Sequence, residues 1–119
     1  MIVMRKVMVL IRSAPHGTTN VGEGLRAAIA LAGMDIETTV VLMDDAVFAA
    51  LKGQAPDAIG ATSLDESILN AKEFGAKLVI HEESLQQRGI GKDELLEVET
   101  VGTEKIAELA HEVDATITF

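Results

Sequence analysis

Apolar residues along the chain fall into two patterns that alternate from one end to the other. Short runs rich in valine and isoleucine are typical of strands that are covered on both faces of a parallel sheet. Between these runs, apolar residues recur every three or four positions, as on one face of a helix. The runs predict five strands: Met1 to Ile11, Ile36 to Met43, Lys77 to Ile80, Leu95 to Thr100 and Ala115 to Phe119.

The intervals between these strands carry helix signals. Asn20 is followed by Glu23 at the spacing of a capping box, in which the two side chains satisfy the first free N–H groups of a helix. Glycines placed after the apolar periodicity mark helix ends. The pattern predicts helices from Asn20 to Gly33, Ala46 to Leu51, Ser63 to Gly75, Glu83 to Arg88 and Thr103 to Glu112.

Strands that alternate with helices indicate the α/β class, with a mostly parallel sheet and helices on both faces. The length of 119 residues fits a single domain that spans residues 1–119. We expect the most apolar strand, the first, at the centre of the sheet and the fourth strand nearer an edge. Right-handed connections bring the carboxyl ends of parallel strands to the same end of the sheet.

Polar clusters follow the first three predicted strands at the point where each strand ends. Ligands in open parallel sheets bind beyond these ends, where helix N-termini offer unpaired N–H groups. We therefore expect the clusters to face one shared pocket. The candidate ligand-binding residues are Ser13, His16, Gly17, Thr18, Asp44, Asp45 and His81.

The segment from Ser13 to Asn20 has hydroxyl groups, a glycine and a helix start, so it could cradle an anion through its backbone amides. A plain turn followed by a helix cap explains the same residues. The segment lacks both the phosphate-loop motif and the glycine motif of dinucleotide sites. Asp44 and Asp45 nearby would repel a polyphosphate.

His16 and His81 could act as acid, base or metal ligands together with an aspartate. They lack the close spacing that fixes two metal ligands on one helix face, so ordinary hydrogen-bonded loop histidines are the simpler interpretation. We expect one of Asp44 and Asp45 to cap the helix that begins at Ala46. No catalytic residue is assigned, and neither a metal nor a cofactor is expected.

Composition narrows the range of partners. Nineteen acidic residues against ten basic ones give a net charge of −9, and the only aromatic residues are three phenylalanines. A surface with this charge repels phosphate backbones, and so few aromatic residues offer no platform on which bases could stack. Direct binding of nucleic acid is therefore not expected. No apolar run approaches the roughly 20 residues that span a bilayer. We expect a soluble, cytoplasmic protein that does not enter membranes.

Several segments together resemble the DsrE/DsrF-like family, most closely its DsrF/TusC branch of small sulfur-relay subunits. Their order and spacing along the chain carry the resemblance, which covers almost its full length. The segments are Ala14 to Thr18, Asp44 to Phe48, Leu51 to Ala58, Ser84 to Gly89 and Asp114 to Phe119.

The resemblance implies a three-layer α/β/α fold with a largely parallel five-stranded sheet, assembled into trimers or hexamers. It also implies a sulfur-carrying cysteine at the end of the third strand. Counting back from Arg88 and Gly89, that position is His81, and the chain contains no cysteine at all. A persulfide requires a thiolate, so sulfur transfer by this chain is not expected.

Three functions follow as hypotheses. The first is a non-catalytic, oligomeric subunit of intracellular sulfur relay or transfer-RNA thiolation, with itself or a cysteine-bearing relative as partner. The second is a small-molecule or anion-binding module that uses the pocket at the strand ends. The third is an enzyme that depends on His16, His81 and Asp44 or Asp45.

Overall fold

Five parallel strands form a single sheet in the computed structural model, which describes residues 5–15, 19–51, 64–96 and 98–119. The α/β class predicted from the alternating pattern is confirmed. The strands are β1 (Lys6–Ile11), β2 (Glu37–Leu42), β3 (Lys77–His81), β4 (Glu99–Val101) and β5 (Ala115–Thr118). Their order across the sheet is β4-β3-β2-β1-β5.

In the described ranges four α-helices connect these strands, and each lies where the sequence predicts a helix. They are α1 (Asn20–Gly33), α2 (Leu64–Glu73), α3 (Glu82–Gln87) and α4 (Thr103–Glu112). The segment predicted as a short helix from Ala46 is a 3₁₀ helix that begins earlier, Asp44–Ala50. A second 3₁₀ helix comprises Lys92–Glu94. No helix in the described ranges is long and apolar enough to cross a bilayer.

The strand order places helices on both faces of the sheet. From β1 to β4 the chain steps in one direction, and from β4 it returns to β5 on the far side of β1. Because each parallel connection is right-handed, the reversal of direction moves the connecting helix to the opposite face. Helix α4 therefore lies on the face opposite α1 and α2.

Two separate apolar clusters confirm these layers. Alternate residues of a strand point to opposite faces, so β1 contributes Val7, Val9 and Ile11 to one cluster and Met8 to the other. The larger cluster packs against α1 and α2, while the smaller one packs against Ile106 of α4. Helix α4 buries only this one residue fully, so its attachment depends on additional contacts.

The apolar character of β1 predicted that it is the central strand, and this prediction is wrong. β2 occupies the centre and β1 lies beside it, because β5 is added on the outer side of β1. Both are interior strands with both faces covered, so their side-chain patterns do not distinguish them. The placement of the fourth strand at an edge is confirmed. Residues 1–4 of the predicted first strand lie outside the described residues.

The capping box predicted at the start of α1 is wrong. The residue before the helix is Thr19, and no side chain caps the helix there. Asn20 is already helical, and its amide donates to Ser13 Oγ at 2.9 Å. The Thr19 hydroxyl donates a hydrogen bond to the carboxylate of Glu23 at 3.2 Å, so these two side chains bind each other and not the backbone at the helix start.

Helix α1 lies so close to β1 that Gly24 has no room for a side chain. A carbon added there would lie 2.6 Å from Cδ1 and 2.8 Å from Cγ1 of the buried Ile11. On the same helix, a carbon added to Gly22 meets nothing within 4 Å. The glycine at position 24 thus sets the distance between helix and sheet.

We expect Gly24→Ala to lower the free energy of unfolding by about 1 to 2 kcal/mol, because overpacking outweighs the gain in helix propensity. Gly22→Ala is the matched control and should leave stability unchanged or raise it by up to about 1 kcal/mol. Urea unfolding of both variants measures the difference. Equal stability of the two variants would contradict this packing.

Candidate functional site

Polar side chains from four strand ends meet at the carboxyl end of the sheet. Arg12 follows β1, Asp44 follows β2, His81 closes β3, and Thr103 opens the helix after β4. Hydrogen bonds connect them in this order, with Ser84 of α3 between Asp44 and His81. The strand-end rule thus locates a polar network that spans four of the five strands.

His81 stands in the middle of this network, with both ring nitrogens engaged. Nδ1 lies 2.6 Å from Ser84 Oγ, and Nε2 lies 2.6 Å from Thr103 Oγ1. The residue is only 9% exposed and Ser84 only 1%. A buried imidazole with two short hydrogen bonds joins α3 to the start of α4.

The partners assign the direction of each hydrogen bond. Thr103 donates its hydroxyl proton to Glu83 at 2.7 Å, so its oxygen is left to accept a proton from Nε2 of His81. The oxygen of Ser84 accepts the backbone N–H of Asp44 at 2.9 Å, so its own proton is available to Nδ1. The ring therefore carries its proton on Nε2.

Glu83 supplies the N-terminal cap that helix α4 lacks locally. The residue before α4 is Gly102, which has no side chain to accept a hydrogen bond from the helix. The carboxylate of Glu83 accepts both the backbone N–H of Thr103, at 3.0 Å, and its hydroxyl. These bonds stabilise the carboxylate form and lower the pKa of Glu83, the hydroxyl contributing most.

Asp44 and Asp45 are bound by two different arginines. Asp44 accepts a hydrogen bond from Arg12 at 2.7 Å, and Asp45 pairs with Arg88 at 3.0 Å. The prediction that one of them caps the following helix is wrong, since Met43 precedes that helix and no side chain caps it. Asp44 has φ +54°, a left-handed conformation, and its N–H points to Ser84 rather than into the helix.

The loop after β1 is described only in part. Ser13 accepts the Asn20 amide, which links the two ends of the loop. His16, Gly17 and Thr18 lie outside the described residues. The anion cradle and the shared pocket therefore stay predictions. Within the described ranges, no group of three histidine, aspartate or glutamate residues is placed to hold a metal ion.

The pair of Ser84 and His81 has the residue types of a nucleophile and its base, but the geometry favours a structural role. Ser84 is buried at 1% exposure, and its oxygen already accepts the Asp44 N–H. A substrate would have to displace that bond to reach the hydroxyl. The arrangement holds the ends of the strands and the starts of α3 and α4 together. It also fixes one tautomer of the His81 ring.

Sequence reasoning missed Arg12, Arg88 and Thr103. Arg12 directly follows β1, and Thr103 lies two residues after the end of β4, so the strand-end rule could have found them. Arg88 lies 43 residues from its partner Asp45, and only the folded structure shows that pairing.

We expect Ser84→Ala to lower the free energy of unfolding by about 1 to 3 kcal/mol, because it leaves the part-buried Asp44 N–H and the buried His81 Nδ1 without a partner. Gln86→Ala, at an exposed position of the same helix, is the control and should change stability by less than about 0.5 kcal/mol. Denaturant unfolding compares the two. A Ser84→Ala variant as stable as wild type would refute the network.

The lowered pKa of Glu83 makes the attachment of α4 sensitive to acid. The bonds to Thr103 contribute stability fully above the unfolded carboxyl value of 4.5 and lose it as pH falls through the lower folded value. We expect amide hydrogen exchange in the first turn of α4 to accelerate on acidification more than the intrinsic exchange rate predicts. In Glu83→Gln that extra acid dependence should be absent; its persistence would show that another group controls it.

Comparison with known proteins shows similarity along nearly the whole chain. The "Intracellular sulfur oxidation protein DsrF" of Allochromatium vinosum is 27% identical, with 98% of each chain covered. A "Protein TusC homolog" of Vibrio parahaemolyticus is also 27% identical, covering 98% of this chain and 100% of the relative. Among solved structures, the ychN protein from E. coli superposes with a TM-score of 0.88 at 26% identity, covering 98% of this chain and 100% of that one.

The family itself is shown by a match that includes every element of the fold. The sequence model of the DsrE/DsrF-like family matches residues 5–119, from the residue before β1 through the residue after β5. All four strand ends that meet at His81 fall inside this range. The chain belongs to the DsrE/DsrF-like family.

Proposed function

We propose that this protein is a non-catalytic, oligomeric subunit of cytoplasmic sulfur relay, in sulfur metabolism or transfer-RNA thiolation. It assembles with itself or with a cysteine-bearing member of the family, and that partner carries the sulfur. Its similarity to proteins named DsrF and TusC homolog over their full length supports this assignment.

The observation that carries the proposal is the absence of cysteine from all 119 residues. A carried sulfur atom is held as a persulfide, which forms when a thiolate attacks sulfane sulfur and which transfers by thiol exchange. Imidazole, carboxylate and thioether groups have no equivalent reversible sulfur–sulfur bond. A relay that includes this chain needs its thiol from another one.

The environment of His81 supports a structural role at the position that the resemblance gives to the sulfur-carrying cysteine. Both ring nitrogens are bonded to hydroxyl groups at 2.6 Å, so neither is left to attack a substrate. The side chain fills its position and connects α3 with α4. In this role His81 holds the carboxyl end of the sheet together without supplying a sulfur atom.

The other two hypotheses have less support. An anion-binding module would depend on residues 16–18, which lie outside the described residues. An enzyme that uses Asp44 or Asp45 would have to release that carboxylate from Arg12 or Arg88. The subunit role requires neither.

The proposal predicts that purified protein acquires no sulfur when it is incubated with a persulfide donor. Intact-mass spectrometry should show an unchanged chain, while a cysteine-bearing family member from the same genome gains sulfur in the same tube. Sedimentation of the two proteins together should show a complex, and a cysteine-to-serine variant of the partner should still form it, because binding does not need the thiol.

Two results would overturn this function. One is covalent sulfur on this chain. The other is the absence of association, both with itself and with every cysteine-bearing homologue encoded beside it.

A further inference from the structure

Strand β5 lies at one lateral edge of the sheet, and in the part of the chain that the structure describes no strand lies beyond it. Phe119, just after β5, directs both backbone groups to β1: its N–H donates to Leu10 at 2.8 Å, and its oxygen accepts the N–H of Arg12 at 2.9 Å. Successive residues of a strand direct these groups to opposite sides. Ile117 thus shares the direction of Phe119, and Thr116 and Thr118 turn outward.

The two edge strands of the sheet, β4 and β5, differ in the features that prevent pairing with a strand of another molecule. β4 has only three residues and carries Glu99, which pairs with Lys77 of β3. Natural edge strands are commonly protected by short length, charge, proline or bulges. β5, Ala115–Thr118, has no charged residue and no proline, although the chain as a whole carries a net charge of −9.

Side chains on β5 are also left uncovered. Ile117 is 37% exposed, and Thr116 and Thr118 are exposed on the α4 side. The nearest carboxylate along the chain, Asp114, accepts the N–H groups of Arg5 and Lys6 at 2.7 and 3.0 Å. That carboxylate is held beside β1, and β5 itself, Ala115–Thr118, carries no charged side chain.

We propose that β5 pairs antiparallel with β5 of a second copy of this chain, about a two-fold axis that passes beside Ile117. A two-fold interface uses the same surface on both subunits, so the occupant must be complementary to the strand itself. β5 meets that condition because it is uncharged and because the outward N–H and C=O groups of one copy can pair with those of the other. The inference rests on the self-association in the proposed function and adds the surface that produces it.

The position of the two-fold axis beside Ile117 fixes the register of this pairing. Residues with outward backbone groups exchange the hydrogen bonds, and with that axis both such residues of β5 find a partner within the strand: Thr116 lies opposite the partner's Thr118, and the reverse pair follows by symmetry. Ile117 then faces the partner's Ile117 at a non-hydrogen-bonded position, where side chains approach most closely. The negative charges at Asp114 lie at opposite ends of the paired strands.

The absence of native cysteine allows a direct test by single-cysteine variants. Two residues in a non-hydrogen-bonded pair have Cα atoms about 4.5 Å apart, within the range that a disulfide bridges. Ile117→Cys should therefore form a disulfide dimer under mild oxidation at least about tenfold faster than Met34→Cys, whose side chain sits at 63% exposure and links only by random collision.

The register has its own test. Thr116→Cys and Thr118→Cys should each link slowly alone and faster when mixed, because each residue faces the other across the axis. Ile117→Cys that links no faster than Met34→Cys overturns the proposal. Fast linking of Thr116→Cys to itself, without enhancement in the mixture, overturns it as well.

Thr118→Pro provides a test without oxidation. Proline removes only the outward N–H at this position and leaves the bonds to β1 intact. We expect this variant to lose the concentration-dependent self-association that wild type shows in sedimentation velocity. If wild type self-associates and Thr118→Pro does so equally, the β5 interface is wrong while the subunit role stands. Failure of the subunit role is seen separately, as absence of any association with itself or with homologues.

Discussion

The imidazole of His81 bridges two hydroxyl groups, and the carboxyl end of the sheet depends on this bridge. On one side, the Ser84 hydroxyl oxygen also accepts a hydrogen bond from the backbone N–H of Asp44. On the other side, the Thr103 hydroxyl also donates a hydrogen bond to the carboxylate of Glu83. Helix α4 buries a single residue fully against its face of the sheet, so these polar contacts at its first residue fix where it begins. One side chain thus links the end of β2, the end of β3 and the helix after β4.

The same bridge occupies the position that the family resemblance gives to a sulfur-carrying cysteine. Nearly all donors and acceptors around His81 are satisfied by other groups of the chain, and the two neighbouring aspartates are neutralised by Arg12 and Arg88. Among the described residues, these groups are thus engaged with one another. Such an arrangement agrees with the proposed role of a subunit that leaves sulfur chemistry to a partner's thiol.

Much of the fold could be predicted because apolar periodicity reports burial directly. The alternation of runs and helical spacing identified all five strands, although the fourth begins at Glu99 and not at Leu95. The bounds of α4 were predicted to the residue. The position of β1 beside the centre was not predictable, since two interior strands have the same pattern. At the site, Asp44 and His81 followed from the strand-end rule. The cap predicted at Asn20 failed because Asn20 is already inside the helix and Thr19 precedes it. The cap predicted from Asp44 or Asp45 failed because both carboxylates bind arginines from other parts of the chain.

The central claim is that His81 is a structural bridge with its proton on Nε2, and nitrogen-15 NMR of the imidazole ring tests it most directly. The account predicts a single tautomer, a protonated Nε2 and an unprotonated Nδ1 that accepts a hydrogen bond, with an Nε2–H proton slow enough in exchange to be observed. Ring nitrogens that average between the two tautomers, with rapid exchange of that proton into solvent, would contradict it.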